Sequence, residues 1–284
     1  MKLRHECLEC VIRQTCNTLA VQRVHGDLGQ EILDEVKQQL VDVDWEQTPA
    51  DLSNVAYRTI EKYLRVDPFA EAKKTQNQLA LGFYPQLKQL VEQSEDRLLT
   101  AVRIAATGNV IDLGIGMKVD IAREVERILH TAFPIDDTPH LRQRLASHCR
   151  ILYVGDNAGE IVFDRILVEE LLTAHDVTFV VRGGAVINDA TLADAEETGM
   201  TRLLPVITTG SNRIGAPWAY VSEEYREHYH QADLVIAKGQ GNYETLSERH
   251  DKEIYFILRA KCGIIARELG VSELDLVMKH ESES

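Results

Sequence analysis

Asp156 and Asn157 stand side by side one glycine after the apolar run ILYV, and Asn188-Asp189 follows shortly after a second apolar run, VTFVV. The stretch after the first pair, EIVFDRILVEELL, has the spacing of an amphipathic helix, so Asp156-Asn157 falls on a turn between strand and helix. Carboxylate and amide oxygens at the carboxyl end of a strand, next to the free N–H groups of a helix N-terminus, suit a hard divalent cation and the anion it carries. Other runs end in complementary groups. Arg182-Gly183-Gly184 follows VTFVV, Gly210-Ser211-Asn212 follows PVITT, Lys238-Gly239-Gln240-Gly241-Asn242-Tyr243-Glu244 follows DLVIA, and Lys261 closes YFILRAK. In a parallel sheet all these turns share one edge.

Moving a phosphoryl group calls for such a set. A divalent cation polarises the phosphoryl oxygens, cationic side chains neutralise charge, and backbone N–H groups cradle oxygens. Asp156, Asn157 and Asp189 are the candidate metal ligands, and oxygen donors favour Mg or Mn over metals that prefer thiolates. Lys238 and Lys261 are candidate charge clamps, and a GQG turn would let the backbone approach an ester. Each acidic pair taken singly is also an ordinary helix N-cap, since Asp and Asn are preferred there. Their coincidence on one sheet edge with two lysines and the glycine turn favours a site. There is no GxxxxGK followed by Ser or Thr and no GxGxxG after a first strand, which excludes those two kinds of nucleotide binding.

Residues 1–148 read as almost wholly helical and residues 149–284 as an alternation of strands and helices. The strand-like runs are ILYV, VTFVV, LLPVIT, DLVIA and IYFIL; the helix-like runs are EIVFDRILVEELL, ATLADAEET, EEYREHYHQ and AKCGIIAREL. The pattern predicts an α/β protein: a helical N-terminal domain, 1–148, and a Rossmann-like domain, 149–284, whose mainly parallel sheet carries helices on both faces and the metal site. With no repeat or long linker, the two parts are expected to pack together. Thr48-Pro49 and Asp67-Pro68 mark helix starts. NVIDLG, 109–114, breaks the helical pattern as a turn or short extended segment.

The formal net charge of -14 excludes a nucleic-acid backbone or an anionic membrane as an electrostatic partner. No apolar run reaches the ~18 residues of a membrane span, and MKLRHECLEC lacks a signal-peptide core, so a cytoplasmic protein is expected. Five cysteines do not describe a disulfide framework. Cys7 and Cys10, three apart on a predicted helix, would share one face as buried structural cysteines, ligands of a structural metal or a redox pair.

GDNAGE, NDAT, KGQGNYETL and FILRAKC, in that order behind CLECVIRQ and GNVIDLG, resemble the damage-control phosphatase family, also known as domain of unknown function 89. The likeness runs over essentially the whole chain and is greatest to the prokaryotic subgroup with paired N-terminal cysteines. It implies a helical part joined to a Rossmann-like part, and a phosphatase using one divalent cation (Mn, Co, Ni or Mg) on small phosphorylated metabolites such as sugar phosphates. It also implies that Asp156, Asn157 and Asp189 hold the metal and that Asp156, Asp189 and Lys238 carry the catalysis. Glu160, Arg182, Lys238, Gly239, Asn242 and Lys261 would grip the substrate. Two stretches depart from the family pattern: Arg182-Gly183-Gly184-Ala185, where Arg-x-x-Pro is expected, and GSNRIGAPW, where GSDAPGT is expected. Both bear on substrate choice. Two other functions remain in view, a non-catalytic phosphometabolite-binding module and a Rossmann-type methyltransferase.

Overall fold

The computed structural model describes residues 1–65, 67–108, 129 and 131–282, so the NVIDLG segment lies outside the described residues. Six strands, β1 (Arg150–Val154), β2 (Asp176–Val181), β3 (Val206–Thr208), β4 (Leu234–Lys238), β5 (Ile254–Arg259) and β6 (Leu276–Glu281), form one sheet in the order β3-β2-β1-β4-β5-β6. The first five are parallel and β6 pairs antiparallel with β5. All five expected strands are present. β1 and β4 read as unbroken apolar runs because, in the middle of a parallel sheet, both of their faces are covered.

Two layers of helices provide the cover. On one face Ile151, Tyr153, Phe179 and Ile236 pack against α4 (Ala70–Gln93), α5 (Arg97–Thr107) and α7 (Glu160–Leu171). On the other, Leu152, Val154, Val235 and Phe256 pack against α9 (Glu223–Gln231), α10 (Gly239–Leu246) and α11 (Gly263–Leu269). Two helices from the N-terminal half thus belong to the same core as the sheet. The first three helices, α1 (His5–Val21), α2 (Gly26–Gln39) and α3 (Pro49–Leu64), share a smaller core of Leu3, Val11, Val36, Leu52 and Ala56. The short helices α6 (Thr138–Arg144) and α8 (Leu192–Glu197) bring the α-helices among the described residues to eleven.

Local chemistry accounts for most boundaries. α3 opens with a capping box, in which Thr48 and Asp51 satisfy each other's backbone N–H, followed by Pro49. α4 begins later than Asp67-Pro68 suggests: Asp67 sits in the preceding turn, accepting from the Phe69 N–H at 2.8 Å. The predicted helix AKCGIIAREL starts only at Gly263, because Ala260 still bonds backbone to backbone with Asp275 and Leu274 ahead of β6. GQG is not a free turn but the first turn of α10. Among the described residues, no helix is long and apolar enough to cross a membrane.

Candidate active site at the switch point of the sheet

From β1 the connections run one way through β2 to β3, and from β4 the other way to β5, so the carboxyl ends of β1 and β4 flank the point where the strand order reverses. Open α/β sheets bind ligands there. The ladder continues past β1 when Gly155 donates its N–H to the Val180 carbonyl at 3.0 Å. The chain then zips onto the later acidic turn: Ala158 N–H donates to Asn188 O and Ala190 N–H to Asp156 O, each at 2.8 Å. Asn157 and Asp189 form an antiparallel bridge. Backbone bonds thus bring Asp156, Asn157 and Asp189 together and set two like-charged carboxylates close to each other.

Arg182 lies beneath them, essentially without solvent contact. Its Nε donates to Asp189 Oδ2 at 2.6 Å and its Nη2 reaches Asp156 Oδ1 at 3.5 Å, while Nη1 is buried without a hydrogen-bond partner. Asn157 Nδ2 donates to Asp156 Oδ2 at 3.0 Å and to Glu160 Oε2 at 3.3 Å. Lys238, the last residue of β4, is also fully buried. Its ammonium donates to Glu160 Oε1 and Asp164 Oδ1, both at 2.5 Å, and to the Ala105 carbonyl at 2.7 Å. Three protons meet three internal acceptors, so the charge of Lys238 acts on the crevice through Glu160. Asn242 ties two turns together, donating to Gly155 O at 3.0 Å and Lys238 O at 2.7 Å. Gly239 has φ of +79°, and a Cβ there would overlap the Asp156 carboxylate. Only glycine lets the start of α10 come so close.

Negative charge is in surplus. Burial, then the neighbouring Asp189 and Glu160 carboxylates, push the Asp156 carboxyl up to about 8 despite Lys261 and Arg182. Burial likewise raises Asp189 against the pull of Arg182 and Lys261, and lifts Asp164 to about 6 against that of Lys238. Burial opposes the charge of Lys238, but Asp164 and Glu160 hold its ammonium above the ordinary lysine range. A divalent cation would relieve this excess, and the donor set, two carboxylates and an amide carbonyl, suits one. Asn157 now turns its amide nitrogen to the carboxylates, the end opposite to a ligand oxygen. The three carboxylates are not drawn into a tight set, since among the described residues the trio of His, Cys, Asp or Glu ligand atoms within 4.8 Å of one another lies elsewhere.

The remaining predicted residues are more peripheral. The Lys261 side chain is exposed, and its backbone N–H donates to Gln240 Oε1 at 3.1 Å. Cys7 is buried, Cys10 half-buried and both are free; with Cys262, Gln240, Glu244 and Lys261 they line a cavity of about 520 Å³. Burial pushes the Cys7 thiol up. A second cavity, of about 240 Å³, is lined by Tyr57, Arg58 and Arg65 and by Ala185, Val186 and Ile187, immediately before Asn188-Asp189. Two supporting residues carry no signal of their role in the sequence. Asp164, the single acid amid the apolar run of α7, also accepts from the Tyr153 hydroxyl at 2.8 Å. Asn77 of α4 accepts from the Gly159 N–H at 2.7 Å and fixes the turn from the opposite side.

A doubly wound sheet with a carboxylate-rich crevice at its switch point defines a Rossmann-like α/β protein with a hard-cation type of site. Comparison with known proteins narrows this. The model of the damage-control phosphatase ARMT1-like domain matches residues 3–277, and the chain belongs to that family. It is 35% identical over 282 residues to a damage-control phosphatase of Pyrococcus horikoshii, covering 98% of this chain and 97% of that protein. It is 33% identical over 288 residues to a damage-control phosphatase of Archaeoglobus fulgidus, covering 98% and 99%. The crystal structure of a domain-of-unknown-function-89 protein from P. horikoshii superposes with a TM-score of 0.91 at 33% identity over the whole of both chains.

Proposed function

We propose that this chain is a metal-dependent phosphatase hydrolysing phosphate monoesters of small metabolites. The observation that carries the reading is the surplus of buried carboxylates around Asp156, locked in place by backbone bonds and left short of positive charge. The names of its relatives point to the same reaction class. Asp156, Asn157 and Asp189 would hold one divalent cation, Mn, Co, Ni or Mg, which when bound withdraws charge from the phosphoryl oxygens and acidifies water.

The protein's own residues supply the rest. Arg182 orients both aspartates, and its unpartnered Nη1 is available to a phosphoryl oxygen. The start of α10, pressed against Asp156 through Gly239, offers free N–H groups and the positive end of a helix dipole to the ester. Lys238 neutralises Glu160 and Asp164, so that they do not repel the incoming phosphate. Lys261, exposed and attractive to both aspartates, draws the anion in. The cavity beside Ala185–Ile187 would receive the organic part of the ester, with Arg58 and Arg65 reading its polar groups.

The test is phosphate release from a panel of sugar phosphates and phosphorylated cofactors, with each metal in turn and after chelation. Turnover that survives complete chelation would overturn the metal dependence, and an absence of turnover with all four metals despite ligand-induced stabilisation would favour a binding module instead.

A further inference from the structure

We propose that His140, Glu253 and His280 form a second metal site, for zinc or a similar borderline divalent cation, at the end of β5 remote from the phosphatase crevice. One ligand atom from each of the three lies within 4.8 Å of the other two. They come from three elements. His140 is in the first turn of α6, Glu253 immediately precedes β5, and His280 lies on β6, in register with Tyr255. The crevice lies at the carboxyl ends of the strands, whereas Glu253 stands at the amino end of β5.

The surroundings are those of a prepared ligand set. The two imidazoles stack with centroids 4.0 Å apart and planes inclined by 26°. Glu253 is held from two directions: Arg144 Nε donates to its Oε2 at 2.9 Å and the Tyr255 hydroxyl to its Oε1 at 2.8 Å. The same hydroxyl lies 2.8 Å from His140 Nδ1, fixing that ring. The His280 backbone N–H donates to Asp137 Oδ2 at 2.7 Å, which anchors β6 to the residue before α6. Such supporting partners commonly orient metal ligands. In a plain hydrogen-bond network the last ring nitrogen would be satisfied too. Instead His280 Nε2 is buried, 3.4 Å from Glu253 Oε1, and makes no hydrogen bond. Two imidazoles and one carboxylate form a recognised zinc donor set, which cobalt and nickel share and which magnesium and calcium do not favour. An ion here would staple α6 to the β5–β6 edge.

The experiment uses the full chain carrying Asp156→Asn, stripped with chelator, so that the crevice contributes little cation binding. Zinc titration followed by calorimetry and Tm, and the visible spectrum of the cobalt form, are measured with and without His140→Gln or His280→Gln. His140 is exposed, so its variant should fold even if the other does not. One equivalent of zinc is expected to bind and raise Tm, with affinity falling about tenfold or more in each histidine variant. Equal zinc affinity in His140→Gln and its parent, or no effect of zinc on Tm, would overturn the proposal. No turnover is read, so failure here is separate from failure of the phosphatase reading.

Discussion

Two buried polar networks lie on either side of Gly159, and they are built to opposite standards. In the first, Asp194 accepts from the Thr191 N–H at 2.8 Å, from the Thr191 hydroxyl at 2.7 Å and from Asn77 Nδ2 at 2.9 Å, with Lys73 at 3.7 Å. Lys73 also pairs with Asp67 at 3.1 Å, and Asn77 uses both ends of its amide. No side-chain atom of these five residues is left buried without a hydrogen bond. In the second, around Asp156, Arg182 Nη1, Asp164 Oδ2 and Asn242 Oδ1 are all buried and unpartnered, and carboxylates exceed cations. A saturated network is structural scaffolding, whereas an unsaturated one at a sheet's switch point is a site whose last components arrive with the ligand.

The contrast can be broken most directly at its centre. Asp156→Asn and Asp189→Asn should each lower metal-dependent phosphate release by about a thousandfold or more. Asp156→Asn should leave Tm unchanged or raised, because it replaces an acid crowded by Asp189 and Glu160, whereas Asp189→Asn should lower Tm, because it takes from the buried Arg182 the charged partner held at 2.6 Å. Wild-type turnover in either variant would end the assignment. Lys238→Met comes next. It leaves Glu160 and Asp164 buried without their cation and should cost about 3–5 kcal/mol in denaturant unfolding; a loss below about 1 kcal/mol would contradict the pairing.

Glu244 of α10 extends the comparison to a lone buried acid. Burial pushes its carboxyl up to about 7 from 4.5, so its stabilising contribution is complete below about pH 4.5 and fades as pH rises through about 7. The difference of about 2.5 units bounds this at about 3 kcal/mol. Glu244→Gln should accordingly flatten the decline of Tm between pH 5 and 8, and an unchanged slope would contradict the shift. Asn77→Ala should cost about 2 kcal/mol by leaving the Gly159 N–H and Asp194 short of a partner. Its effect on turnover should be smaller than that of either aspartate variant. Lys261→Ala, at an exposed position, should lower kcat/KM about tenfold without moving Tm; an unchanged kcat/KM would remove it from substrate recruitment.

The five parallel strands were legible because buried runs such as ILYV and LVIA carry no charged residue, and the acidic turns because Asp156-Asn157 and Asn188-Asp189 follow two of the strand runs within a few residues. β6 carries no clear strand signal, since LVMKHE is half polar and its last three residues are only half-buried. α10 read as a turn because two glycines open it. At Gly239 the glycine answers a demand of the tertiary structure, the nearness of Asp156, that helix propensity does not register. Lys238 shows the limit most clearly. A lysine after a strand looks the same in sequence whether it meets a substrate or, as here, three internal acceptors. Which one applies depends on Asp164 facing inward from α7, and one acid among apolar residues does not declare its direction.

The bond from the Gly159 N–H to Asn77 ties the order of synthesis to the assembly of the crevice. Asn77 and Ala105 leave the ribosome well before Gly159 and Lys238, so the partners that hold the acidic turn and the buried ammonium already exist when those groups emerge. A fragment beginning at residue 149 would contain every acid of the crevice yet lack both of these partners. The helices of the first half therefore supply two partners that the later half needs to complete its pocket.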